Sequence, residues 1–135
     1  METCIGANPN RKFYNESAIK KIIGIDWVEM NVTNSKQKIV NHDLMSVYKC
    51  DVHETPFSSE SFDTVVDTFG LECCYDIDVA FSEIKRVTKK GGKILLLERG
   101  RGIWMADNLD LMRKATLNLG ARGQIYHHDF KTMIE

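Results

Sequence analysis

The sequence has no apolar run near the roughly 20 residues that cross a bilayer. Its first residues also lack the basic segment followed by an apolar one that marks a secretory leader. No membrane span is expected, and the chain reads as intracellular. Basic residues are not in excess either: the net charge is −1 with 27% charged residues, and no basic stripe marks a nucleic-acid partner. The four cysteines, Cys4, Cys50, Cys73 and Cys74, make no C-x-x-C pair. That pattern speaks against a disulfide framework or zinc knuckle and for reduced, partly buried thiols. His53-Glu54 lacks the second histidine of a zinc protease motif, so no metal is expected. Repeats, low-complexity tracts and linkers are missing too, which leaves residues 1–135 as one domain.

What the chain does have is alternation. It is 43% hydrophobic over 135 residues, enough to bury one core. The opening residues METC and the runs KIIGID (21–26), LMSVYKCD (44–51), SFDTVVDTFG (61–70) and KILLLERG (93–100) read as buried strands bounded by turn-forming residues. Before the last run, Ile77, Ala80, Phe81, Ile84 and Val87 recur at helical spacing. Lys89 and Lys90 sit at the C-terminal end of that helix, and Gly91-Gly92 close it. Weaker helical stretches run from Trp27 to about Val40 and from about Ala106 to Leu119. Strands alternating with helices imply an α/β, Rossmann-like, doubly wound and mostly parallel sheet with right-handed crossovers.

In such a sheet, ligands gather at the carboxyl ends of the strands, near the switch in strand order. The residues to examine are Glu2 to Asn10, Asp26, Asp51 with Val52, Asp67 to Leu71, and Glu98 to Arg101. The opening METCIGANPN breaks at once into small residues, where a backbone can approach a bound group closely. Asp26 follows Gly6 by 20 positions, the spacing at which a strand-end acid can accept hydrogen bonds from both ribose hydroxyls. A second reading stands beside it: Asp26-x-x-Glu29 is also a capping box for the next helix. Asp51 could hold an adenine amino group or serve as a turn residue.

Together these segments, METCIGANPNRKFY, GIDWVEM, CDVHETPFSSESFDTVVDTFGLE and EIKRVTKKGGKILLLERG, resemble class I S-adenosylmethionine-dependent methyltransferases. The likeness is to the methyltransferase type 11, ubiquinone-biosynthesis-like branch, in a group with mitochondrial members, so the compartment is cytoplasmic or, alternatively, mitochondrial. The resemblance implies S-adenosyl-L-methionine as cofactor, a strand order of 3-2-1-4-5 and a small-molecule methyl acceptor. It places the acid before the loop on Glu2, the loop on Cys4, Gly6 and Asn8, and the ribose acid on Asp26 with Trp27 beside it. The adenine-side pair falls on Asp51 and Val52, and the segment flanking the methyl donor on Thr68 and Phe69.

The family loop is commonly E-x-G-x-G-x-G, whereas Cys4 and Asn8 stand at its outer glycine positions here. That leaves a non-catalytic or decayed binding module as the rival. An NAD-dependent oxidoreductase is the remaining alternative, but of G-x-G-x-x-G only the middle glycine survives among Cys4, Gly6 and Pro9. No catalytic base is readable: His127 and His128 fit a solvated helix start, and Arg99 and Arg101 a solvated turn. Against the family pattern, a C-terminal β-hairpin and a leading helix are not encoded. The expectation is therefore an incomplete domain that self-associates through the strand edge from Lys93 to Glu98.

Overall fold

The computed structural model describes residues 1–98. Five parallel strands form one sheet in the order β3-β2-β1-β4-β5, as the family resemblance implies. They are β1 (Glu2–Thr3), β2 (Ile22–Asp26), β3 (Met45–Lys49), β4 (Phe62–Thr68) and β5 (Thr88–Leu97). β1 is only two residues long, yet it is the centre of the sheet, with Glu2 opposite both Gly24 and Val66. Its neighbours β2 and β4 wind away in opposite directions, so the carboxyl end of β1 lies at the switch in strand order.

Side chains alternate across the sheet with period two and feed two cores. Ile22, Met45 and Val47 join Ile5, Val32 and Ile39 in one; Ile25 and Val65 join Leu71, Ala80, Phe81 and Ile84 in the other. Gly24 belongs to the first face for a steric reason. A Cβ there would overlap Ile5 Cδ1 and meet Val47 Cγ2 at 3.3 Å, so the missing side chain makes room for Ile5.

Helix α2 (Ile77–Val87) buries all five apolar positions read from the periodicity. Asp76 caps it by accepting from the Val79 N–H at 3.1 Å. At about 1.5–3 kcal/mol for each large apolar side chain, that stripe outweighs any propensity term in the helix. Its end differs from the expectation: the helix stops at Val87, and Thr88 to Gly92 belong to β5. The Glu60 and Ser61 N–H groups take the Arg86 and Val87 carbonyls at 2.9 and 2.8 Å, and Thr88 Oγ1 donates to Ile84 O at 2.7 Å. These partners satisfy the last carbonyls, so Gly91-Gly92 do not close the helix. Gly91 instead takes a φ of 75° where the β4–β5 register shifts between Phe62 and Thr64.

Helix α1 (Glu29–Gln37) is shorter than the 27–40 span predicted, because only Val32 and Ser35 are buried on it. No helix among the described residues is long and apolar enough to cross a membrane. The stretch from Ala106 to Leu119 lies outside the described residues.

Candidate functional site

The loop after β1 is held at nearly every peptide. Ile5 N donates to Ile25 O at 3.0 Å, Gly6 N to Asp26 Oδ2 at 2.8 Å and Asn8 N to Ile5 O at 3.0 Å. From α1, Ser35 Oγ donates to Gly6 O at 2.5 Å and Lys38 Nζ to Ala7 O at 2.8 Å. Cys4, Gly6 and Asn8 have φ values of 48°, 55° and 59°, so each outer glycine position of the family loop is in the left-handed region that favours glycine. A Cβ on Gly6 would meet nothing closer than Cys4 O at 4.0 Å, because that side faces a cleft.

The cleft has a volume of about 550 Å3. Of the predicted site residues, Cys4, Gly6, Asp26, Trp27, Asp51, Val52 and Phe69 line it. Asp26 is buried, and three of its roughly four lone-pair sites are in use. Oδ1 accepts from Val28 N at 2.9 Å and Asn31 Nδ2 at 3.1 Å, while Oδ2 accepts from Gly6 N. Both readings of this acid therefore have a basis. It supports the start of α1, although Val28 is the N-cap, and it fastens the Gly6 loop to β2 with one lone pair of Oδ2 left over. Trp27 is 66% exposed beside it.

Asp51 lies two residues beyond β3. Its Oδ1 accepts from the His53 backbone N–H at 2.9 Å and pairs with His53 Nδ1 at 2.6 Å. Burial opposes ionisation of Asp51, yet the His53 N–H and ring outweigh it and hold the carboxyl below its usual range. Phe69, with a φ of 56°, closes the opposite side from the end of β4.

The other predicted residues stand back from the cleft. Glu2 accepts from Asn10 Nδ2 at 2.9 Å and Tyr14 Oη at 2.6 Å, and Asn10 also donates to Thr68 Oγ1 at 3.0 Å. Burial raises the Glu2 carboxyl even against those donors. Asn8 turns toward Met45 Sδ at 3.4 Å, and its Oδ1 is buried without a partner.

The four thiols gather on the cleft as well. The neighbouring Cys74 thiol, then burial, push Cys4 well above the ordinary thiol range, and burial followed by Asp51 raises Cys50. Protonated thiols are poor nucleophiles, so Cys4 and Cys50 act here as small apolar groups. Cys4 does not block the cleft, because Gly70 receives it: a Cβ on Gly70 would overlap Cys4 Cβ.

Sequence reasoning singled out Asp67 and Glu98 as strand-end acids without a role. Asp67 is fully buried, where Oδ1 accepts from Gly70 N and Leu71 N at 2.9 and 3.0 Å and Oδ2 from Thr3 Oγ1. Burial, then the hydrogen bond to Asp67 and its charge, push Glu98 up to about 9. A proton on Glu98 turns a carboxyl whose Oε1 is buried with no donor into a donor toward Asp67. The folded chain keeps that proton, whereas the unfolded chain releases it near the ordinary value of 4.5. Stability from this group is full below about 4.5 and is lost as pH rises toward about 9. At the acid end, Arg86 holds Glu83 down to about 2, so its contribution goes as pH falls from 4.5 toward 2. Thermal melting from pH 5 to 9 should show a falling midpoint in the parent and a flatter profile in Glu98→Gln. Parallel profiles would remove the shared proton.

Tyr75 and Asn31, which carry no signal in the sequence, also line the cleft, as does His53, weighed there only within an incomplete zinc motif. Arg99, Arg101, His127 and His128 lie outside the described residues.

A family model described as a methyltransferase domain matches residues 4–96. The demethylmenaquinone methyltransferase of Streptomyces avermitilis is 38% identical over 64 residues, covering 47% of this chain and 28% of that protein. The chain thus spans less than a third of the length of that curated relative in the matched region. Among solved structures, the YcgJ protein of Bacillus subtilis superposes with a TM-score of 0.81 at 19% identity, over 98% of this chain and 57% of the other. The 4+2 cyclase SpnF gives 0.67 at 24% identity, over 77% and 40%. These likenesses establish the fold, which hosts more than one chemistry.

Proposed function

The chain belongs to this methyltransferase domain family, whose methyl donor is S-adenosylmethionine, and we propose that it transfers the donor's methyl group to a small-molecule acceptor. The observation that carries the proposal is the placement of Asp26 and Asp51, from the ends of adjacent strands, on one cleft beside a glycine with no Cβ in the way.

The residues present suit the donor. Asp26 Oδ2 retains one acceptor site for a ribose hydroxyl, and Asp51 Oδ2 one for an adenine amino group. Ile25, Val52 and Trp27 offer apolar surface between and beside them. S-adenosylmethionine supplies a methyl group already activated by a positive sulfur, so the chain needs mainly to orient two reactants and exclude water. Protonated Cys4 and Cys50 offer no competing thiolate.

The relative from Streptomyces makes demethylmenaquinone a first acceptor to assay. Self-association through Lys93 to Glu98 belongs to the same proposal, supported by exposed Leu95 and Leu97 on β5, the outer strand of the described sheet.

Calorimetric titration with S-adenosylhomocysteine and with NADH tests the function. Binding of the first and not the second is expected; the reverse would favour a dehydrogenase. One observation favours a binding module instead, namely the two side chains at left-handed loop positions. Restoring glycine at Cys4 and Asn8 should raise folding stability, since each residue held at positive φ stores about 1 kcal/mol, with binding of S-adenosylhomocysteine retained. Absence of binding in both parent and double variant would support the module.

A further inference from the structure

The His53 ring contacts Asp51, Asp76 and Tyr75, and the chemistry described so far uses only the first of these. The ring is nearly buried, at 8% exposure. Nδ1 meets Asp51 Oδ1 at 2.6 Å, Nε2 lies 3.4 Å from the Asp76 backbone N–H, and the ring stacks on Tyr75 with centroids 3.9 Å apart and planes 21° apart.

The hydrogen-bond pattern specifies the ring's tautomer. Asp76 N can only donate, so Nε2 must accept and be bare. Nδ1 then carries the proton and donates to Asp51. With the His53 backbone N–H on the same oxygen, Oδ1 is occupied by two donors, and Oδ2 is the oxygen left to accept from a ligand. The contact to Asp76, which caps α2, and the stack on Tyr75 join the β3 loop to the segment before α2. Asp51, His53 and Tyr75 all line the cleft.

We propose that His53 is a positioning residue for purine recognition: by fixing Asp51 with Oδ2 as its one free acceptor, it makes the cleft select an amino-bearing over an oxo-bearing purine. This rests on the methyl-donor reading above. An acceptor-only oxygen pairs with an amino group and opposes a carbonyl, and a carboxylate free to rotate loses part of that discrimination to entropy.

Two variants separate the ring from the donor. His53→Asn keeps an N–H near the place of Nδ1 but loses the stack; His53→Phe keeps the stack but loses the donor. Affinities are measured for S-adenosylhomocysteine and for its inosine counterpart, in which the amino group is replaced by a carbonyl. The parent should prefer the amino compound by about tenfold or more. His53→Phe should lose most of that preference through weaker binding of the amino compound alone, and His53→Asn should keep it. A His53→Phe protein with the parent's preference, or a His53→Asn protein that loses it as fully, would overturn the role of His53 while leaving the cofactor reading intact. A parent that binds neither compound would overturn both. Nitrogen-15 NMR of the ligand-free protein adds a readout independent of binding: Nδ1 protonated and Nε2 bare at neutral pH is expected, and the opposite tautomer overturns the proposal.

Discussion

Asp26→Ala should yield a protein that is both less stable and a much weaker binder of S-adenosylhomocysteine. The carboxylate holds Gly6 N, Val28 N and Asn31 Nδ2, and its removal leaves those donors to find water or remain unpaired. Loss of such charge-assisted bonds costs about 2–4 kcal/mol of folding stability in total, after water replaces part of them. Binding should lose the proposed ribose contact, about 1.5–3 kcal/mol or tenfold and more in affinity. The freed Gly6 loop adds to that loss, because the cleft wall must then be ordered on binding. Glu29→Ala is the control, since Glu29 is exposed and pairs with Lys49 at 3.4 Å rather than supporting Asp26, and it should leave affinity unchanged. Calorimetry and urea unfolding on both variants check the pair of effects. A folded Asp26→Ala protein with the parent's affinity would remove Asp26 from the site.

Gly70→Ala should be more damaging than its single methyl group implies. The new Cβ would overlap Cys4 Cβ and stand 2.8 and 2.9 Å from the two Asp67 oxygens. Asp67 cannot withdraw, because Gly70 N, Leu71 N and Thr3 Oγ1 all donate to it. Overpacking of this kind costs about 1–3 kcal/mol, and displacement of a buried carboxylate from its donors adds a further 1–3 kcal/mol. Cys4→Gly in the same chain removes the first clash but not the second, so partial rescue is expected. A double-mutant cycle by urea unfolding should give a coupling of about 1 kcal/mol or more between positions 4 and 70. Additive effects would mean that Gly70 does not accommodate the cysteine.

Much of this architecture is legible along the chain because it is local. The stripe Ile77, Ala80, Phe81, Ile84, Val87 specifies α2 by period alone, and the runs KIIGID and SFDTVVD each end in an acid at the sheet's carboxyl edge. The end of α2 is less legible. Thr88 to Lys90 could continue a helix by propensity, and what stops it is a pair of N–H groups from Glu60 and Ser61, more than 20 residues earlier.

The site follows the same division. Spacing and the family likeness bring Gly6, Asp26 and Asp51 together, but no sequence pattern reveals that Asp26 already spends three acceptor sites inside the protein. Cys4 looks like an obstruction in the sequence because its compensating gap, Gly70, lies on another strand's loop. His53 reads in the sequence only as half of a zinc motif for a similar reason: its meaning depends on Tyr75 and Asp76, which only the fold places beside it.

The most direct test of the methyl-donor site is a crystal structure of the chain grown with S-adenosylhomocysteine. The expected density lies in the cleft along Gly6, with a ribose hydroxyl on Asp26 Oδ2 and the adenine amino group on Asp51 Oδ2. Density elsewhere on the molecule, or an empty cleft at saturating ligand with Asp26 still bonded to Gly6, would contradict the account.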